Sequence, residues 1–378
     1  MNRREFLLGF SVSALVLGTG CKATDVHRAV SLGEQVARGT VPGFSSAVPS
    51  TGVGALDSLI RQQLQSMLEK LIKEWGDEKI PTPKEYVKYT DDYQTRAVVN
   101  FETGVIRVET VDRRNPQEKL RTAIINTLLT PEDPGQVDLL SDREVNVGGE
   151  PFLLNVVRDH ENQPVRWEWR AGRFADHLMR TASKTDTYNN RRRHFVTFNM
   201  IREHNQGQQR RFQNHVMSQS RRFNLEPALV YAIIEAESSF NPYAVSHVPA
   251  YGLMQIVPET GGRDAHRLIY NRDGIPTRDY LFVPENNIRM GSAYLHILFT
   301  RYLARVSNAR SREYCVIAGY NTGSGNVLRA FDRNRDQAFN RINSMNSTQV
   351  YNHLVRNLPY QETRDYLPKV VRFKAGYR

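Results

Sequence analysis

The sequence predicts an α+β domain followed by a mainly α domain, and three observations lead there. The hydrophobic period changes along the chain: strand-like runs cluster before residue 200, and helical spacing takes over after Arg202. The length, 378 residues, exceeds one typical domain and fits about two. The composition, 40% hydrophobic and 24% charged, is that of a folded chain and too apolar for a disordered one.

Composition also excludes classes. No apolar run reaches the roughly 18 residues of a membrane-spanning helix, so a multipass membrane protein is ruled out. Two cysteines, Cys21 and Cys315, do not make a disulfide scaffold. The formal net charge of +11 suggests an anionic partner without saying which.

The N-terminus reads as an export signal: Arg3 and Arg4, a short apolar stretch from Phe6 to Leu17, then Gly18, Thr19, Gly20 and Cys21. A cysteine directly after small residues resembles a bacterial lipoprotein cleavage box, although Gly18 stands where leucine is usual. Arg3-Arg4-Glu5-Phe6-Leu7 resembles a twin-arginine signal. The expectation is a signal over 1–20, a lipidated Cys21, and a Gly-, Ser-, Thr- and Pro-rich tether over 21–55. A cleaved soluble form, or a buried helix with an incidental cysteine, are the alternatives. Loss of residues 1–20 removes Arg3, Arg4 and Glu5 and lowers the net charge from +11 to +10. Cys315, inside Cys315-Val316-Ile317-Ala318, reads as a small core residue.

The α+β domain is expected over 56–200. Leu59, Leu64, Leu68 and Leu71 give Leu56–Trp75 a helical stripe. Val98–Phe101 and Val105–Val108 flank Glu102-Thr103-Gly104, a hairpin with Gly at its turn. Asn115, Pro116 and Glu118 open a helix as N-cap, N1 and N3, and Ile124, Ile125, Leu128 and Leu129 give it an apolar stripe. Pro151–Val157, Val165–Trp169 and His194–Ile201 read as three further strands. Arg191-Arg192-Arg193 reads as a solvated surface run.

The second domain is expected over 201–378, its helices punctuated by Pro227, Pro242, Pro258, Pro284 and Asn321-Thr322-Gly323. It holds no Gly-rich phosphate loop, His-Glu-x-x-His helix, paired-Cys motif or Gly-x-Ser-x-Gly elbow, so no metal and no cofactor is expected. Its informative segment is Pro227–Pro242. Val230, Ile233 and Ile234 mark a buried stripe, and the next position on it, i+7, is Glu237. Asn241-Pro242 is expected to stop the helix, which puts Glu237 in its last turn. Desolvation and the negative helix end both favour the protonated carboxyl, a form able to donate to a leaving oxygen. A Glu that turns to solvent or pairs with an arginine is the plain alternative.

The blocks around it carry a resemblance. Glu237-Ser238-Ser239-Phe240-Asn241-Pro242, then Ala244-Val245-Ser246 through Gly252-Leu253-Met254-Gln255, then Gly319-Tyr320-Asn321-Thr322-Gly323, then Glu362-Thr363-Arg364-Asp365-Tyr366 resemble, in this order, the lysozyme-like lytic transglycosylase family. Each block is short; four in order are specific. With Lys84–Thr90 and the hairpin after it, the resemblance covers roughly 80–378. It implies a lysozyme-like fold for the helical domain and assigns roles. Glu237 matches the single catalytic acid/base. Ser246 matches a residue holding the sugar's acetamido group, Gln255 a substrate-facing amide, Tyr320 and Asn321 the pair lining the cleft, and Tyr366 a tyrosine near the catalytic Glu. Gly252 matches a close backbone approach, and Glu362 a structural neighbour of the site. Two departures stand out: Val248 replaces a second serine, and Gly319 replaces the common alanine. Leu253 and Met254 read as core. A packed tyrosine at 320 and a helix-capping asparagine at 321 remain plain alternatives.

The family implied cleaves the β-1,4 bond between N-acetylmuramic acid and N-acetylglucosamine in peptidoglycan and leaves 1,6-anhydromuramic acid ends. Ordinary glycosidases use two carboxylates. Here Glu259 and Asp264 are the nearest downstream acids, neither at a spacing that sets it opposite Glu237, and the resemblance implies that none is needed. The implied partners are peptidoglycan glycan strands and, through lipidated Cys21, membrane lipid at the periplasmic face of the outer membrane; cell-wall enzyme partners are unknown. A goose-type lysozyme hydrolase on the same fold and a non-catalytic wall-binding module are the competing readings. Nucleic acid is not expected as a partner, because the charge alone suggests it and the export signal argues against it.

Overall fold

The computed structural model describes residues 67–77, 79–139, 141–246 and 250–377. The expected signal, Cys21 and the tether lie outside the described residues. The described chain forms an α+β part followed by a mainly α part, the fold class expected. Where the sequence suggests one boundary at 200/201, the contacts divide the chain less simply. One unit comprises the described residues through Gln208, together with Asn241–Gln255 and Thr277–Val283. The other comprises Gln209–Phe240, Ile256–Pro276 and the described residues from Pro284 on.

The first unit is built on a five-stranded antiparallel sheet in the order β1-β2-β3-β5-β4. Its strands are β1 (Glu85–Thr90), β2 (Thr95–Asn100), β3 (Val105–Thr110), β4 (Lys184–Tyr188) and β5 (Arg191–Asn199). The expected hairpin joins β2 and β3, with Val98 opposite Arg107 and Val99 opposite Ile106. Its turn needs a left-handed residue, and Gly104 supplies it at φ +73°. Strand alternation gives the sheet two apolar faces. Val99, Ile106, Val108 and Val196 face the helices Pro116–Leu128 and Glu168–Thr181. Val87, Tyr89 and Val98 pack with Leu71 and Trp75, whose segment 67–75 is helical.

Four local expectations need correction. Pro151–Val157 is a run of turns, apolar because Phe152, Leu153, Val156 and Val157 are tucked into the core. Val165–Trp169 is no strand: a helix starts at Glu168, and Trp167 and Trp169 stand 61% and 56% exposed. Asn115 occupies the N-cap position but its side chain makes no cap bond. Instead Asp112 Oδ1 accepts from the N–H groups of Arg114 and Asn115, each at 2.8 Å. The Arg191–Arg193 run is solvated only at Arg192, which is exposed. It lies in β5, where Arg191 pairs with Glu74 at 2.6 Å and Arg193 with Asp186 at 2.6 Å and Glu109 at 3.1 Å. Glu109 is buried and also receives Arg96 at 2.5 Å, whose guanidinium lies 4.1 Å from the centre of the Trp75 ring.

The returning segment Asn241–Gln255 is part of the same core. Tyr243 is fully buried, its ring 5.1 Å from Tyr86 and 5.4 Å from Phe152, and its hydroxyl donates to the Pro131 carbonyl. Asn241 Nδ2 donates to the Pro83 carbonyl at 3.1 Å.

The second unit is helical. Pro227 opens the Pro227–Ser238 helix at its first turn, where a missing N–H costs nothing. This helix is buried almost all round, as a helix apolar on every side should be; Glu235 and Glu237 are half-buried. It stops sooner than Asn241-Pro242, because Ser239 and Phe240 both turn left-handed, at φ 50° and 64°. Burial of Phe240, whose ring stacks at 6.4 Å on Phe212, holds that unusual pair of conformations. The helix Ala309–Thr322 carries Cys315, fully buried as expected of a core thiol and pushed up to about 12 by that burial. No helix among the described residues is long and apolar enough to cross a membrane.

Candidate active site

The Pro227–Ser238 helix and the C-terminal helix Gln361–Gly376 form the centre of the site. Two glutamates at i and i+2 on the first each meet a tyrosine from the end of the chain. Tyr377 donates its hydroxyl to Glu235 Oε2 at 2.6 Å, and Tyr366 donates to Glu237 Oε1 at 2.7 Å. Lys369 Nζ donates to the Ala236 carbonyl at 3.3 Å, satisfying an acceptor in the last turn of the glutamate helix.

Tyr366 and Tyr320 are both buried. Burial holds the phenol of each well above its ordinary pKa, and the neighbouring Glu237 charge adds to the effect. Both phenols therefore remain protonated at any physiological pH, and Tyr366 is a permanent donor to the carboxylate. Tyr294, on the helix Pro284–Ile297, backs Tyr320 with ring centres 5.6 Å apart.

Asn321 stands in the last turn of the helix Ala309–Thr322 and does not cap the following helix, whose N-cap position is Gly323 at φ +83°. Thr363 donates to Asn321 Oδ1 at 2.6 Å, which orients the amide. Asn321 Nδ2 then donates to Glu362 Oε1 at 3.3 Å. Thr363 and Tyr366, three apart on one helix face, thus serve the asparagine and the glutamate respectively. Asp264 accepts the Tyr302 hydroxyl at 2.7 Å, and Glu259 is exposed.

The structure therefore gathers Glu237, Tyr320, Asn321 and Tyr366 in the second unit. Ser246 and Gln255 fall in the segment that belongs to the first unit. Ser246 Oγ accepts from the Ala250 N–H at 3.3 Å, across residues 247–249, which with Val248 lie outside the described residues. Gln255, left-handed at φ 46°, donates from Nε2 to the carbonyls of Ala244 at 3.1 Å and Gly252 at 2.9 Å. That amide shapes its own loop, and its buried Oε1 has no hydrogen-bond partner among the described residues. Leu253 and Met254 are core, as expected. Thr363 and Tyr294 escaped the sequence reading. Thr363 was visible only as the residue three before Tyr366; Tyr294 had no signal.

Two family models match the chain between residues 53 and 343, short of the C-terminal helix. Residues 53–211 match the N-terminal domain of membrane-bound lytic murein transglycosylase C, and residues 214–343 match the transglycosylase SLT domain. The membrane-bound lytic murein transglycosylase C of Sodalis glossinidius is 44% identical over 307 residues, which is 80% of this chain and 86% of that one. The chain belongs to this family. The Yersinia pestis protein of the same name shows the same 44% identity over the same coverage. Among solved structures, the 70 kDa soluble lytic transglycosylase of Escherichia coli is 25% identical, covering 44% of this chain and 24% of that one at a TM-score of 0.34. This lytic transglycosylase is thus an enzyme of the cell wall, and its helical unit carries the Glu237 cluster.

Proposed function

We propose that the chain cleaves the β-1,4 bond between N-acetylmuramic acid and N-acetylglucosamine with Glu237 as its single acid/base, closing a 1,6-anhydro ring. The observation that carries this reading is the 2.7 Å hydrogen bond from a permanently protonated Tyr366 to a half-buried Glu237. One carboxylate oxygen is thereby fixed in place, and the group remains partly open to solvent.

Protonated Glu237 donates to the glycosidic oxygen as the C1–O bond breaks. The substrate's acetamido oxygen shields the developing positive charge at C1. Ionised Glu237 then takes the proton of the C6 hydroxyl, and that oxygen closes on C1. No water is consumed, and Glu237 ends protonated, ready for the next strand. Tyr366 favours the ionised state formed between the two transfers. Asn321, oriented by Thr363, binds the glycan with Tyr320; Ser246 and Gln255 are carried over as glycan contacts from the family resemblance alone. The chain works from the periplasmic face of the outer membrane, held by lipid on Cys21.

The test is Glu237→Gln on purified sacculi. The amide can neither donate nor accept the proton in sequence, so the variant folds and releases no product. Wild type releases muropeptides lighter by one water than hydrolysis products. Full activity of the variant overturns the assignment of Glu237. Release by wild type of reducing-end muramic acid alone makes the enzyme a hydrolase.

A further inference from the structure

All three tryptophans of the chain lie in the first unit, and two of them are spent on the surface. Trp75 is buried, whereas Trp167 and Trp169 flank the start of the helix Glu168–Thr181 at 61% and 56% exposure. Burying an indole is among the larger gains a chain can make, so two exposed ones two residues apart mark a surface with a use.

Trp169 also has an anchored cationic neighbour. The Arg170 guanidinium lies 4.6 Å from the centre of its ring. Arg170 is anchored on Asp159, a buried carboxylate. The other oxygen of Asp159 accepts the N–H groups of Glu161 and Gln163, at 2.9 and 2.8 Å, which locks the turn that carries it. His160 in the same turn stacks on His177 of the helix with ring centres 4.4 Å apart. A buried carboxylate, an arginine and a stacked turn thus brace one exposed indole.

The charges around it decide what it meets. Arg166 faces Glu150 at 3.6 Å, Arg170 faces Asp159 and Glu161, and Arg173 faces Glu161. Each cation is matched by a carboxylate, so the patch has no excess positive charge to draw an anionic lipid surface or a nucleic acid. A flat, fixed indole face rimmed by paired donors and acceptors suits a neutral sugar ring, whose C–H face stacks on the aromatic while its hydroxyls and acetamido group hydrogen-bond to the rim.

We propose that Trp169, braced by Arg170 and Asp159 and neighboured by Trp167, is a glycan-binding platform on the first unit, separate from the residues that carry the chemistry, and that its ligand is the sugar backbone of murein. This rests on murein being the substrate. The platform raises affinity for the polymer without taking part in bond cleavage.

The test compares binding of the full-length Glu237→Gln chain and its Trp169→Ala derivative to purified sacculi by co-sedimentation, with the Trp169→Phe derivative as the conservative control. Loss of the ring weakens binding about three- to tenfold, the scale of one aromatic stacking partner, and phenylalanine restores part of it. In an otherwise wild-type chain, Trp169→Ala lowers release from sacculi and leaves turnover of a soluble tetrasaccharide-peptide, which is too short to reach a separate platform, unchanged. Equal binding with and without Trp169 overturns the platform and leaves the murein reading intact. Failure of the Glu237→Gln parent itself to sediment with sacculi overturns both. A Trp169-dependent loss of binding to anionic phospholipid vesicles, with none to sacculi, reassigns the patch to lipid and overturns the proposal.

Discussion

Replacing Tyr366 by phenylalanine removes one oxygen from the site and tests how the glutamate is tuned. In the wild type this phenol stays neutral and donates to Glu237 Oε1 at 2.7 Å. A hydrogen bond to an ionised acceptor contributes about 1.5–3 kcal/mol, and the half-buried position of Glu237 lets water recover part of that, so the low end applies. At 1.36 kcal/mol per pH unit, about 1.5 kcal/mol corresponds to about one unit. The sign follows from which form is favoured. Tyr366 stabilises the carboxylate, so its removal favours the carboxylic acid and raises the pH at which Glu237 ionises. The reaction begins from the acid, so the alkaline limb of the kcat/KM profile should move up by about one unit in Tyr366→Phe. The assay is release of soluble muropeptides across a pH series, with circular dichroism to show that the variant is folded. A limb that stays in place, or moves down, would refute the role given to this hydrogen bond.

The remaining predictions concern stability and chemistry elsewhere. Tyr243→Ala should destabilise the first unit by about 3–5 kcal/mol, because a fully buried ring between Tyr86 and Phe152 is lost; urea titration followed by tryptophan fluorescence reads that unit alone, since it holds all three indoles. Although burial opposes it, the backbone N–H groups and Arg170 hold the Asp159 carboxyl below the ordinary range, so its contribution is complete above about pH 4 and is lost as the pH falls through the lowered value. Asp159→Asn should therefore lose stability at neutral pH and show a shallower further loss on acidification, measured as denaturation midpoints from pH 7 down to about pH 2. Cys315 should not react with a thiol reagent in the folded chain, and mature protein unfolded in denaturant should titrate as one thiol if Cys21 carries lipid and as two if it does not.

The placing of Glu237 in the last turn of a buried helix was legible, because a carboxylate interrupts an otherwise apolar helical stripe. What stops its helix was not legible. Asn241-Pro242 looks like the signal, yet Ser239 and Phe240 turn first, and only the burial of Phe240 makes that affordable. The hairpin from β2 to β3 was legible from its alternation and its glycine. The edge strand β4, Lys184–Tyr188, was not, since it is polar and largely exposed. Val165–Trp169 shows how alternation misleads: period two means a strand only when one face is buried, and here the two indoles face water. The roles of Thr363 and Tyr294 depend on helices far apart in the chain, which spacing along one helix does not report.

The division of the chain between units has a consequence for the order in which it becomes structured. Tyr243 completes the aromatic cluster around Tyr86 and Phe152, and Thr277–Val283 joins the same unit later still. A polypeptide delivered N-terminus first cannot finish its first unit until Val283 has followed, with Gln209–Phe240 and Ile256–Pro276 of the helical unit made on the way. Until then, the face awaiting Tyr243 is open apolar surface. A fragment ending near residue 208 would carry that exposure permanently, so truncation at the apparent domain border should yield a sticky, poorly behaved product instead of a free-standing module.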